Sequence, residues 1–285
     1  MDLRLLRTFL AVAETGSFTA AAQSLNCVQS NITSQIRKLE EEFGERLFHR
    51  GKGGARLTWF GQLMRERARE IVRLVRETEA ELQEAAGAAA PLALGALETV
   101  AATRLPGLLV HLRQACPEAQ ISLKTGPTSR LLSQLWRRDI DAAFVAGEID
   151  EDRFRSIVAF REVLVCVSVD PGAPSGPLLA FPSGCSYRAA AEGWLSKNGQ
   201  EPVRVIDLGS LDGILGCVEA GLGIAVVPKS AVGTYHGHEA LHLTPLPDPF
   251  GQIEIRFCWR HDHALVSAHR VLLEQLSGRD QKAQP

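Results

Sequence analysis

The sequence predicts an α/β protein in three parts: an N-terminal helix-turn-helix, a long linker helix, and a C-terminal unit of two α/β subdomains. Residues 17–50 place a small-residue helix, a tight break and an amphipathic polar helix in succession. Residues 59–86 keep a helical stripe with no proline, and no glycine between Gly61 and the end of the stripe. Beyond residue 91, short apolar runs alternate with helical patterns in two series, the texture of α/β folding. A chain of 285 residues exceeds the usual size of one domain, so separate cores are expected.

Residues 1–15 repeat apolar side chains at Leu3, Leu6, Phe9, Leu10 and Ala13, which predicts a first helix. Gly16 ends it and Ser17 stands where a cap for the next helix belongs. Thr19, Ala20, Ala21 and Ala22 give a short helix ending near Leu25, and Asn26-Cys27 turns the chain. A helix over 28–42 follows, with Ile32, Ile36 and Leu39 on its buried face. Its opposite face carries Gln29, Ser30, Asn31, Ser34, Arg37 and Lys38. Amides can read adenine edges while hydroxyls and cations hold phosphates, so this face suits the major groove of DNA. An ordinary amphipathic helix with a solvated side would show the same two faces.

The longer pattern decides between these readings. Leu39-Glu40, Phe43-Gly44, Leu47-Phe48-His49-Arg50 and Leu57-Thr58 closely resemble the winged helix-turn-helix of LysR-type transcriptional regulators. The tip, Gly51-Lys52-Gly53-Gly54, is richer in glycine than the family's usual wing. The resemblance implies a winged helix-turn-helix over 1–58 and double-stranded promoter DNA as partner. The expected DNA-contacting set is Thr19, Gln29, Ser30, Asn31, Thr33, Ser34, Arg37, Lys38, Arg50, Lys52 and Arg56.

From 59 to 86, Leu63, Ala68, Ile71, Leu74, Val75, Thr78 and Leu82 recur at helical spacing among Arg and Glu. About 26 helical residues span roughly 39 Å, more than a small domain needs, and such a stripe pairs with a copy of itself. A lone linker helix with solvated flanks is the alternative. The resemblance also implies a dimerising linker over 59–90, with two dimers joining into a homotetramer. Gly87 to Pro91 reads as a hinge.

The C-terminal unit, 91–285, is expected to place strands at 92–97, 120–124, 142–145, 163–169, 203–206, 224–227 and 254–259 in mostly parallel sheets. Helices are expected at 99–115, 129–138, 187–198, 211–220 and 263–276. Runs such as GALETVAATRLPGLL, ISLKTGPTSRLLSQLWRRDIDAAFVAG, PSGCSYRAAAEGWL and VEAGLGIAVVP are similar to the LysR-type effector-binding domain, in the branch that contains YofA-like regulators. The resemblance implies a periplasmic-binding-protein-like sensor, with subdomain I over about 91–161 and 266–285 and subdomain II over about 162–265.

Glu98-Thr99, Thr128-Ser129 and Ser186-Tyr187 each fall where a strand gives way to a helix. Helix N-termini with hydroxyls beside them bind carboxylates, although each taken singly is more often an N-cap. The family fold argues that they converge on one cleft. The expected effector set is Glu98, Thr99, Val100, Thr128, Ser129, Cys185, Ser186, Tyr187 and Arg188, around a small anionic effector, a carboxylate. Cys185, before a helix and beside Arg188, raises a redox-sensing alternative, with Cys217 the next thiol in sequence.

His236-Gly237-His238 and His261-Asp262-His263 read as polar loops instead of a metal site. Gly221-Leu222-Gly223 precedes a strand, not a helix, so it is no phosphate cradle. No G-x-S-x-G, P-loop or H-E-x-x-H occurs, and neither a cofactor nor an enzymatic activity is expected. A small-molecule binding protein with a non-functional helix-turn-helix is the alternative from another class. The net charge of −2 argues against coating nucleic acid, while Arg37, Lys38, Arg46, Arg50, Lys52 and Arg56 supply a local basic patch. The six scattered cysteines form no C-x-x-C pair. No apolar run reaches the roughly 18 residues that span a bilayer and the N-terminus lacks a signal peptide's cleavage site, so no membrane association and a cytoplasmic location are expected, with RNA polymerase a further candidate partner.

Overall fold

The computed structural model describes residues 2–51, 54–171, 176–199, 204–263 and 265–280; the side chains of Arg50, Arg279 and Asp280 lie outside that description. The chain divides into two compact units, 1–82 and 83–285. Among the described residues no helix is long and apolar enough to cross a membrane.

The first unit runs α1 (Leu3–Thr15), α2 (Phe18–Ser24), α3 (Gln29–Phe43), a hairpin of β1 (Phe48–Gly51) and β2 (Gly54–Leu57), then α4 (Trp59–Ala85), which extends past the division. Each junction has a local cause. Gly16, at φ 63°, takes the left-handed position that ends α1, and Ser17 accepts the Ala20 N–H at 3.3 Å to start α2. Asn26, at φ 51°, turns the chain between α2 and α3; asparagine tolerates this region better than most residues. Phe9, Val12, Ala21, Ala22, Ile32, Ile36, Leu39, Leu47 and Phe48 form one buried core with Met64 and Ala68 of α4. Glu40 sits at the end of α3 and accepts the Leu47 and Phe48 N–H groups at 2.9 and 3.4 Å, which fixes the entry to the hairpin.

The second unit has two lobes. In the first, β3 (Leu92–Ala96) lies between β4 (Ile121–Thr125) and β5 (Ala142–Ala146), both parallel to it. Helices α5 (Glu98–Thr103), α6 (Leu105–Ala115) and α7 (Thr128–Trp136) connect these strands. The long β6 (Phe154–Ser168) leaves this sheet and enters the second lobe. That lobe adds β7 (Leu178–Ala180), α8 (Ser186–Lys197), β8 (Val205–Asp207), α9 (Leu211–Glu219), β9 (Ala225–Pro228), α10 (Lys229–Val232) and β10 (His242–Pro245). Returning along β11 (Gln252–Arg260), the chain ends in α11 (Ser267–Asp280).

Three expectations need correction. The sheets are mixed, not mostly parallel: β6 carries the chain out and β11 brings it back, so β11 pairs antiparallel with both β5 and β6. The single helix over 99–115 is two, broken at Arg104, because Pro106 has no N–H for a helical bond and its ring crowds the preceding turn. Strand β6 begins at Phe154, not 163; its first half carries Arg155, Arg161 and Glu162, which dilute the apolar signal. The short elements β7, α10 and β10 were not anticipated.

Candidate functional site

Two surfaces carry chemistry. On α3, Ile32, Ile36 and Leu39 are fully buried, so the helix presents its other side outward. Gln29, Ser30, Asn31, Ser34, Arg37 and Lys38 are exposed there, as are Thr19 on α2 and Arg56 on β2. Thr33 is half-buried and its hydroxyl donates to the Gln29 carbonyl at 3.0 Å. Asn31 accepts from Gln35 at 2.8 Å, while Gln35 in turn accepts from Thr8 at 2.6 Å, so the amide is held before any ligand arrives. Arg37 pairs with Glu41 at 2.9 Å in an exposed contact that solvent screens. The Arg50 side chain and all of Lys52 lie outside the described residues. Val28, the N-cap residue of α3, is 68% exposed and is an apolar group on this surface that polarity alone does not flag.

The second surface is a cavity of about 240 Å³ between the lobes. Its walls include Glu98 and Thr99 from α5, Thr125 and Arg130 from the first lobe, and Phe181, Cys185 and Tyr187 from the second. The lobes meet around it through named bonds. Thr99 and Tyr187 share a hydrogen bond at 2.9 Å, both nearly inaccessible to solvent. Glu98 Oε1 accepts the Leu211 N–H at 2.8 Å, tying α5 to the start of α9. Thr128 exchanges hydrogen bonds with the Ala146 backbone at 3.1 Å, and Ser186 donates to the same carbonyl at 2.6 Å. Gly184 is needed at this junction, because a Cβ there would lie 2.1 Å from the Ser129 hydroxyl.

Of the expected effector residues, the structure brings Glu98, Thr99, Cys185 and Tyr187 to the cavity wall. Thr128 and Ser186 come together at the lobe junction, where their hydroxyls are already engaged. Val100 lies on the buried face of α5, away from the cavity wall, and Ser129 is exposed outside that wall. Arg188 points elsewhere: it pairs with Glu192 at 2.8 Å and Asp207 at 2.6 Å, beside a separate hollow. Burial raises the Cys185 thiol above its ordinary value, and the Arg188 and Tyr187 amides with the Arg188 charge only partly oppose this. A thiol so held is protonated at neutral pH.

The cation that sequence reasoning missed is Arg130. It is exposed, makes no ion pair with a described residue, and lines the cavity. The signal was present: Arg130 lies in the same first turn of α7 as Thr128 and Ser129, directly after the strand end that marked them.

Comparison with known proteins joins these two surfaces into one molecule. Residues 3–62 match the model for the bacterial regulatory helix-turn-helix protein, lysR family, and residues 85–281 match the LysR substrate binding domain. The chain is 36% identical over 277 residues to an uncharacterized HTH-type transcriptional regulator, YusT, of Bacillus subtilis, covering 95% of this chain and 94% of that one. It is 34% identical to the HTH-type transcriptional regulator YofA of the same organism, over 95% of this chain and 97% of the relative. The fold matches full-length CbnR complexed with its target DNA, at a TM-score of 0.70 and 22% identity over 98% of this chain and 99% of that one. With both of its units matched and its relatives aligned nearly end to end, the chain belongs to the LysR family of DNA-binding transcriptional regulators.

Proposed function

We propose that this regulator changes its hold on promoter DNA when a small anion, a carboxylate, binds between the two lobes of its C-terminal unit. The observation that carries the reading is Arg130, a guanidinium with no ion pair among the described residues, lining the same cavity as the Thr99 hydroxyl. A guanidinium recognises a carboxylate through two parallel hydrogen bonds, and the neighbouring hydroxyls fix its orientation. Within the cavity, Leu97, Pro127, Phe181 and Pro182 supply the apolar wall that a metabolite's carbon skeleton needs. Thr128, Ser129, Ser186 and the backbone N–H groups beside them complete the anion's surroundings when the junction rearranges. For the anion to act as a signal it must bind one lobe arrangement better than another, and the bonds that cross the cavity supply that difference.

DNA recognition is assigned to α3, with Gln29, Ser30, Asn31 and Ser34 facing base edges and Arg37, Lys38, Arg50, Lys52 and Arg56 facing phosphates. The stripe on α4 supports a homodimer: Leu63, Leu74 and Leu82 are exposed in the single chain, and a second copy of the helix would cover them. Two such dimers would bring paired α3 helices to two half-sites in the cytoplasm, where RNA polymerase meets the same promoters. Selection of duplexes from a random pool, followed by titration at rising salt, tests the reading. One preferred sequence, lost in Gln29→Ala and Ser34→Ala, is expected; retention of every pool sequence alike at all salt concentrations would refute it.

A further inference from the structure

We infer that the effector is a zwitterionic amino carboxylate, its carboxylate held by Arg130 and its ammonium by Glu98. This inference rests on the assignment of the cavity as the effector site and narrows the class of molecule that it takes. Among the described residues the cavity wall contains one guanidinium and one carboxylate, Arg130 and Glu98, yet the two make no ion pair with each other. Opposite charges on one small cavity that leave each other unpaired are suited to a guest that carries both charges at a fixed separation.

Glu98 is half-buried, and only its Oε1 is engaged, by the Leu211 N–H; Oε2 has no partner among the described residues. The free Oε2 is left for a cationic donor, and a half-buried carboxylate attracts such a donor more strongly than a fully solvated one would. A plain carboxylate guest would meet Arg130 favourably and Glu98 unfavourably. A plain amine would meet the reverse. Only a guest with both groups turns both wall charges to advantage. The Thr99, Thr125 and Tyr187 hydroxyls lie on the same wall and serve the remaining lone pairs and protons of such a guest. At about 240 Å³ the cavity is smaller than those that hold drug-sized molecules, roughly 300 to 1,000 Å³, so the guest is a small metabolite.

The test is isothermal titration of the full-length protein with matched sets of probes: L-α-amino acids of three to six carbons, each beside its desamino acid and its decarboxylated amine. At least one amino acid is expected to bind tenfold or more tightly than both of its singly charged analogues. Glu98→Gln keeps an acceptor for the Leu211 N–H, so the fold is retained. It should remove the advantage of the amino acid over the desamino acid, while Arg130→Gln weakens both. A desamino acid that binds as tightly as its amino acid, with binding lost in Arg130→Gln, would overturn the amino carboxylate and leave the anion reading in place. An amine that binds best would overturn both, and so would the absence of heat from every probe. Unchanged melting temperatures of the two variants serve as the control that neither has lost the fold.

Discussion

His269 shows how a single side chain sets a property of the whole fold. It is fully buried between α11 and β11, with neither ring nitrogen hydrogen-bonded, against Phe257, Trp259 and His263. Burial, with a smaller contribution from the His263 charge, pushes its imidazole down to about 3. Well above pH 6.5 the ring is neutral in both folded and unfolded chains and contributes no pH dependence. As pH falls below that value the unfolded chain gains a proton that the fold refuses, so stability drops, and the loss continues until the folded value is reached. Between pH 6.5 and 5 the loss amounts to about 2 kcal/mol. Chemical denaturation of the wild type and of His269→Phe across this range checks it: the variant's stability should fall less steeply by that amount. On α3, Gln29→Ala or Ser34→Ala should shift the preferred operator at a cost of about 1 to 3 kcal/mol, whereas Arg56→Ala should weaken all sequences alike and flatten the salt slope. The sequence made the α3 residues legible because an amphipathic helix sorts its faces by period alone. The place of Arg130 in the first turn of α7 was legible, but not that it lines the cavity without an ion pair among the described residues, whereas Arg188 is held by Glu192 and Asp207.

At the scale of elements, α3 and α9 lie within a residue of the expected 28–42 and 211–220, whereas the last helix runs over Ser267–Asp280 instead of 263–276. Strand β6 was half missed, since its charged first part obeys the needs of a sheet that two lobes share. Helix α4 leaves Leu74 59% exposed and Leu82 64% exposed, an apolar cost that a partner helix would remove. Leu74→Glu should therefore convert dimers to monomers in sedimentation equilibrium without lowering the melting temperature of the C-terminal unit. At its N-terminal end α4 is locked to its own unit: a Cβ at Gly61 would lie 2.1 Å from the Leu47 carbonyl oxygen. Gly61→Ala is expected to destabilise the N-terminal unit by about 1 to 3 kcal/mol, read from its thermal unfolding.

On the scale of the whole molecule, the end of α4 is tied directly to the first lobe. Glu84 accepts from the Ser267 N–H, the Ser267 hydroxyl and the Ala90 N–H, and these bonds outweigh burial to lower its carboxyl below the ordinary value. The division into a reader and a two-lobed sensor was legible from texture, since a helical stripe and a proline-closed hinge separate two differently patterned halves. The cavity was only partly legible: Thr99 and Tyr187 could be named, but not that they bond to each other across 88 positions of sequence. The most direct test of a cavity that governs DNA binding is the operator footprint of wild-type and Arg130→Gln protein, taken with and without pyruvate, succinate, L-glutamate and benzoate. At least one carboxylate should shift the wild-type footprint, while Arg130→Gln protects the same operator with equal affinity and shows no shift. An identical shift in both proteins would contradict the account.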